Sequence, residues 1–128
     1  MKLLALDLDG TILTTDKQVT PRTREALTAA IRSGVEVVLV TGRPYLGLPD
    51  ELLQIPGIRY AITSNGAVST DLSNGQNLRA SLLPPDIVQE IVKIPRKRDL
   101  IYNVFIDGAG YSEPHIYQRQ LQPMLLRE

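Results

Sequence analysis

Apolar residues fall into short dense runs through the first half of the chain and into spaced pairs between and after them. Leu3-Leu4-Ala5-Leu6, Val35-Glu36-Val37-Val38-Leu39-Val40 and Tyr60-Ala61-Ile62-Thr63-Ser64 are brief and end in turn formers. Continuous runs of this length predict strands, and the first reads as one covered on both faces, as inside a parallel sheet. Between the first two runs, Ala26, Leu27, Ala30 and Ile31 recur at helical spacing. Thr20 as N-cap, Pro21 at the first helical position and Gly34 past the end predict a helix over about 21–33. Strand, helix, strand in that order implies a right-handed crossover and a parallel pair. Residues 67–70 and 76–79 flank Asn74-Gly75, a hairpin signal.

After Leu83 the pattern changes. Pro84-Pro85 punctuates the chain, and Ile87, Val88, Ile91 and Val92 predict a short amphipathic helix. Residues 100–107 read as a strand, Gly108-Ala109-Gly110 as a turn, and Tyr111 onward as a second strand or an irregular segment. A domain boundary is expected near residue 82, giving segments 1–82 and 83–128.

Composition narrows the classes. With 43% hydrophobic residues the chain can bury a core, and a net charge of zero argues against a nucleic-acid partner. Lys93, Arg96, Lys97 and Arg98, broken by Pro95, read as a solvated basic turn. Asp7 interrupts the apolar stretch after Lys2 too early for a signal peptide or a membrane span. The chain has no cysteine, which agrees with a cytoplasmic location. The single histidine, His115, is expected at the surface.

The chemistry concentrates where the strands end. Asp7 and Asp9 close the first run, at the carboxyl edge where parallel sheets hold ligands. Period-two alternation points both acids one way if the strand continues to them. Like charges about 4 Å apart repel by about 4 kcal/mol at an effective dielectric of about 20, so the pair must share a proton or hold a cation, for which a divalent metal is the natural choice. The parallel crossover brings Thr41-Gly42-Arg43 to the same edge. A calcium loop is excluded by Thr11 and Ile12, which stand where an EF-hand needs a further Asp or Asn and a Gly. Gly108-Ala109-Gly110 lacks the third glycine of a dinucleotide fingerprint.

The segment Asp7-Leu8-Asp9-Gly10-Thr11-Ile12-Leu13 resembles the first motif of the haloacid dehalogenase superfamily. Thr41-Gly42-Arg43 resembles its second, and Ser64-Asn65-Gly66-Ala67 resembles a segment of its capped, sugar-phosphatase-like (Cof-type) branch. The resemblance implies an α/β fold: a partial Rossmann-like three-layer core with a parallel sheet, followed by the opening of an α+β cap. It implies a Mg²⁺-dependent phosphatase acting on small phosphorylated metabolites such as sugar phosphates. Asp7 would be the nucleophile and a metal ligand through its carboxylate. Asp9 would be the general acid and base, offering its backbone carbonyl to the metal. Thr41 and Gly42 would hold the phosphoryl oxygens with Arg43 nearby, and Asn65 and Gly66 would border the substrate entrance.

The superfamily's third and fourth motifs, a Lys and acidic metal ligands, normally follow the cap, and Lys93, Lys97 and Asp107-Gly108 do not replace them. The isolated chain is therefore expected to be feeble or inactive. The alternative is a truncated, non-catalytic homologue serving as a phosphate-binding or interaction module. A receiver-type phosphoacceptor would need its Asp where Ser64-Asn65 stand. In the superfamily the first strand is central, so its other flank here should be bare and drive self-association or docking of a partner chain.

Overall fold

The computed structural model describes residues 2–118. It divides into two compact units, one up to Ser81 and one from Leu82 onward. The first is a five-stranded mixed sheet with helices, in the order β1-β2-β3-β4-β5: β1 (Lys2–Leu6), β2 (Val35–Val40), β3 (Tyr60–Thr63), β4 (Val68–Asp71) and β5 (Gln76–Ala80). The arrangement is Rossmann-like. The first three strands are parallel, with Leu6 opposite Leu39 and Val40 opposite Ile62, and β4 and β5 add an antiparallel hairpin.

Helix α1 (Pro21–Arg32) forms the crossover from β1 to β2. The Thr20 hydroxyl caps it by accepting from the Thr23 amide at 3.1 Å, satisfying an N–H that the first turn leaves orphaned. Leu27 carries its buried face onto the core with Leu8, Leu39, Leu52, Ile55 and Ala61. Val37, Val38 and Leu39 are all buried, so both faces of β2 are covered. The expectation of a doubly covered strand fails for β1, an edge strand whose Leu3 is 57% exposed and Leu4 37%. Its sequence has the composition of an interior strand, but among the described residues only β2 pairs with it.

After β2 the chain forms a 3-10 turn (Tyr45–Gly47) and the one-turn helix α2 (Asp50–Leu53), which drops Leu52 into the core. Gly57 has φ +95, and a Cβ there would lie 2.5 Å from Cγ2 of Ile31 on α1. Only a glycine lets this loop close on the helix. At the hairpin, the nearly buried Asp71 accepts from Nε and Nη2 of Arg59 at 3.1 and 2.9 Å, and from the Ser73 amide at 3.0 Å. These bonds lower its pKa to about 2, with Arg59 the largest cause. The Asn74-Gly75 turn follows, with Gly75 at φ 71.

The second unit holds α3 (Pro85–Lys97), β6 (Val104–Ile106) and β7 (Ala109–Tyr111), with a further helix starting at residue 114. The helix is not short, and the expected basic turn is absent. Lys93, Arg96 and Lys97 lie on α3, which runs through Pro95 before Asp99 turns to φ 51. The predicted strand over 100–107 is confined to 104–106, and Asp107-Gly108, both at positive φ, make the turn of the small hairpin. Residues 100–103 lie outside that strand, and the Tyr102 hydroxyl donates to Glu113 at 2.6 Å and accepts from Arg96 at 3.1 Å. His115 is exposed as expected, 3.7 Å from Glu113.

Replacing Gly57 by Ala should destabilise the first unit by about 1–3 kcal/mol through the clash with Ile31 and the positive φ. Urea unfolding measures the loss; a midpoint unchanged from wild type contradicts the close approach.

Candidate active site

The site forms where β1, β2 and β3 end. Asp7 and Asp9 flank Leu8, which is fully buried and whose carbonyl accepts three successive amides, from Thr11, Ile12 and Leu13 at 3.3, 3.1 and 3.0 Å. Alternation thus persists past the end of β1, with Leu8 inward and both acids outward. Thr11 donates its hydroxyl to Asp7 at 3.4 Å, and Gly10, at φ 77, turns the chain between them.

Asp9 meets cations rather than sharing a proton with Asp7. Arg43 donates through Nε to Oδ2 at 2.8 Å and through Nη2 to Oδ1 at 2.7 Å, a bidentate fork. Its Nη1 donates to the Gly47 carbonyl at 3.0 Å, fixing the guanidinium to the 3-10 turn. Lys17 adds a third bond, from Nζ to Oδ1 at 2.9 Å. The Arg43 fork, then Lys17, hold the Asp9 carboxyl far below the usual carboxylate range. The fork expected to face a phosphate is therefore turned onto Asp9.

Thr41 leaves β2 buried, with its amide donating to the Ile62 carbonyl at 2.9 Å and its hydroxyl accepting from the Arg43 amide at 3.2 Å. The turn after β3 is stitched to it. Ser64 N–H donates to the Arg43 carbonyl at 2.8 Å, and Asn65 N–H to the Thr41 carbonyl at 3.3 Å. Ser64, Asn65 and Gly66 have φ of 51, 56 and 91. Left-handed backbone at two non-glycine residues is costly and collects at functional sites. A Cβ on Gly42 would stand 2.8 Å from Oδ1 of Asn65, so Gly42 is what admits that amide. Thr63, at the end of β3, is 1% exposed, and its hydroxyl has no partner among the described residues.

Asp9, Thr41, Gly42, Arg43 and Asn65 thus form one chain of contacts. Asp7 stands one residue past the Leu6–Leu39 pair that ends the β1 register, bonded to Thr11, and Gly66 is the exposed end of the turn. Sequence reasoning missed Lys17. Its signal lay in the turn it closes: Lys17 N–H donates to the Thr14 carbonyl at 2.9 Å and Thr14 N–H to the Gln18 carbonyl at 3.0 Å. Glu51 on α2 was also missed; its carboxylate accepts from the Val19 amide at 3.1 Å and ties that loop to the core.

An acidic strand end and a Thr-Gly-Arg turn meet at one edge of a Rossmann-like sheet, which defines an α/β protein. The family profile described as haloacid dehalogenase-like hydrolase matches residues 4–125, and the chain belongs to that family. It is 34% identical over 121 residues to an HMP-PP phosphatase of Serratia proteamaculans, covering 94% of this chain and 44% of that protein. It is 47% identical over 129 residues to the putative phosphatase YxeH of Bacillus subtilis, covering 91% of this chain and 47% of the other. A haloacid dehalogenase-like hydrolase structure from B. subtilis superposes with TM-score 0.75 at 31% identity, over 94% of this chain and 43% of that one. The subclass IIB sugar phosphatase BT4131 shares the fold at TM-score 0.76 and 23% identity, over 98% of this chain and 50% of that one. The chain spans about half the length of the relatives it matches. Among the described residues no helix is long and apolar enough to cross a membrane.

Because Asp9 binds protons less readily in the folded chain than in the unfolded one, its ion pairs stabilise fully above about pH 4 and lose that contribution as acid protonates it. The Asp9→Asn variant should show a shallower loss of urea resistance below about pH 4 than wild type. Parallel acid profiles for the two proteins contradict the pairing.

Proposed function

We propose that this chain carries the nucleophile-bearing part of a phosphatase that hydrolyses small phosphomonoesters, sugar phosphates among them, through an aspartyl-phosphate. The observation that supports this reading is the meeting, at one sheet edge, of the Asp7-x-Asp9 turn with Thr41-Gly42-Arg43. A carboxylate oxygen of Asp7 attacks phosphorus while the leaving alkoxide takes a proton from Asp9, which can carry it on Oδ1 once Lys17 and Nη2 of Arg43 release that oxygen and Nε keeps Oδ2; water then attacks the acyl phosphate and returns a proton to Asp9. One acid serves both half-reactions. The Thr41 hydroxyl accepts from the Arg43 amide, which leaves its proton free to donate to a phosphoryl oxygen.

Asp7 through its carboxylate and Asp9 through its main-chain carbonyl would hold Mg²⁺. The donor chemistry fits, since the ion takes one or two protein carboxylates and completes its shell with water and phosphate oxygens. The Asp9 carboxylate is committed to Arg43 and Lys17, which leaves the main-chain oxygen as its donor. Among the described residues no group of three or more His, Cys, Asp or Glu side chains could hold a metal. When bound, the ion supplies charge neutralisation between carboxylate and phosphate. Asn65 and Gly66 border the entrance in this reading, the segment from Leu82 is the start of a cap, and the location is cytoplasmic. The open flank of β1 takes a further chain segment, from a second copy or a partner.

With Mg²⁺ and a generic phosphate ester, the chain should release phosphate slowly, and Asp7→Asn or chelation should lower that rate at least about 100-fold. Equal rates in wild type and Asp7→Asn overturn the enzyme reading in favour of a binding module. Size-exclusion chromatography with light scattering should show dimers or larger species, and a stable monomer at high concentration counts against the covered β1 edge.

A further inference from the structure

Two cations converge on one oxygen atom of Asp9, and they are held very differently. Arg43 is fixed at every nitrogen: two bond the carboxylate, and Nη1 bonds the Gly47 carbonyl. Its side chain is 25% exposed. The Lys17 side chain is 59% exposed and reaches Asp9 by a single bond from the end of a flexible stem. Its backbone, in contrast, is tied down. The Thr14 hydroxyl accepts from the Gln18 amide at 3.1 Å, closing a turn in which Lys17 takes φ 62, and Val19, two residues on, is buried and anchored to Glu51. A left-handed, non-glycine residue at the tip of an anchored turn projects its ammonium over the acidic strand end.

Charge gives this placement a use. Before any metal binds, Asp7, Asp9 and Arg43 sum to one negative charge, which repels an arriving anion; Lys17 brings the four groups to neutrality. The first unit has one other lysine, Lys2, at the opposite end of β1. The Arg43 fork alone satisfies both oxygens of Asp9, so Lys17 can leave without stranding the carboxylate.

We propose that Lys17 is a phosphoryl-binding residue of this site, resting on Asp9 while no ligand is present and moving its ammonium to an anionic oxygen of the arriving phosphoryl group while Arg43 keeps its hold on Asp9. This rests on the phosphoryl-site reading given above and adds a residue to it. No bond to carbon or phosphorus changes in the exchange; an ion pair with a carboxylate is traded for one with a phosphate, and the ammonium keeps its protons. Arginine at position 17 can make the same trade; methionine, similar in length and uncharged, cannot.

The test is titration of the 128-residue chain with inorganic phosphate in the presence of Mg²⁺, followed by the backbone amide resonances of Thr41 and Gly42. Wild type, Lys17→Met and Lys17→Arg are compared. Lys17→Met should weaken phosphate about tenfold, and Lys17→Arg should restore it to within about twofold of wild type. The Arg43 Nε–H resonance should persist throughout, marking the fork as intact. Wild-type affinity in Lys17→Met overturns the role of Lys17 and leaves the phosphoryl site standing. Loss in both variants with the Thr41 and Gly42 resonances displaced before any phosphate is added assigns Lys17 a structural role and also overturns the proposal. No response of wild type at Thr41 and Gly42 overturns the phosphoryl-site reading itself, and the inference with it.

Discussion

The parallel register of β1, β2 and β3 is the constraint on which the site depends. With Leu6 opposite Leu39 and Val40 opposite Ile62, three strands end at one level. The residues that follow them, Asp7 to Asp9, Thr41 to Arg43 and Ser64 to Gly66, must then share a small space. A slip of one residue would turn every side chain of a strand to the other face. It would exchange the buried Leu39 for Val40 and carry Thr41 away from the carboxyl edge. The helical crossover makes that slip costly, because Leu27 and Ile31 are seated against the same strands and loops. Packing on one side of the sheet thereby fixes chemistry at its end.

Electrostatics then settles how the acids live together. Two aspartates a residue apart call for positive charge, and divalent metal was the expected source. In the folded chain Arg43 and Lys17 provide it for Asp9, from a loop after β2 and from a turn before α1. Low exposure of the guanidinium strengthens the fork, since charge-assisted bonds gain where water competes less. The arrangement separates the two acids by environment: Asp9 is enclosed by cations, while Asp7 has a neutral hydroxyl beside it.

Much of the first unit was legible in the sequence because local signals and long-range packing agree there. Thr20, Pro21 and Gly34 mark α1 almost to the residue, and Asn74-Gly75 marks the hairpin. The positions of Asp7, Asp9 and Thr41 at strand ends followed from the same patterns. What escaped were properties that a linear pattern does not carry. β1 has an interior strand's composition, yet its burial depends on which chain lies beside it. The direction of the Arg43 fork depends on a partner 34 positions away, and the ammonium of Lys17 on a turn whose closure is a matter of backbone hydrogen bonds. In the second unit, propensity misled twice: Pro95 sits inside α3 near its end, and residues 100–103 lie outside the strand, with Tyr102 bonded to Arg96 and Glu113.

The seat of the Asn65 amide over Gly42 has a consequence for how such a sequence can change over generations. A side chain at position 42 would make that amide swing aside, and any residue at position 65 must tolerate a left-handed backbone. The backbone bond from Ser64 to Arg43 holds the two turns together whichever side chains stand there. Two residues in separate loops, far apart in the reading frame, are therefore expected to vary together, a larger residue at position 42 calling for a shorter side chain at position 65.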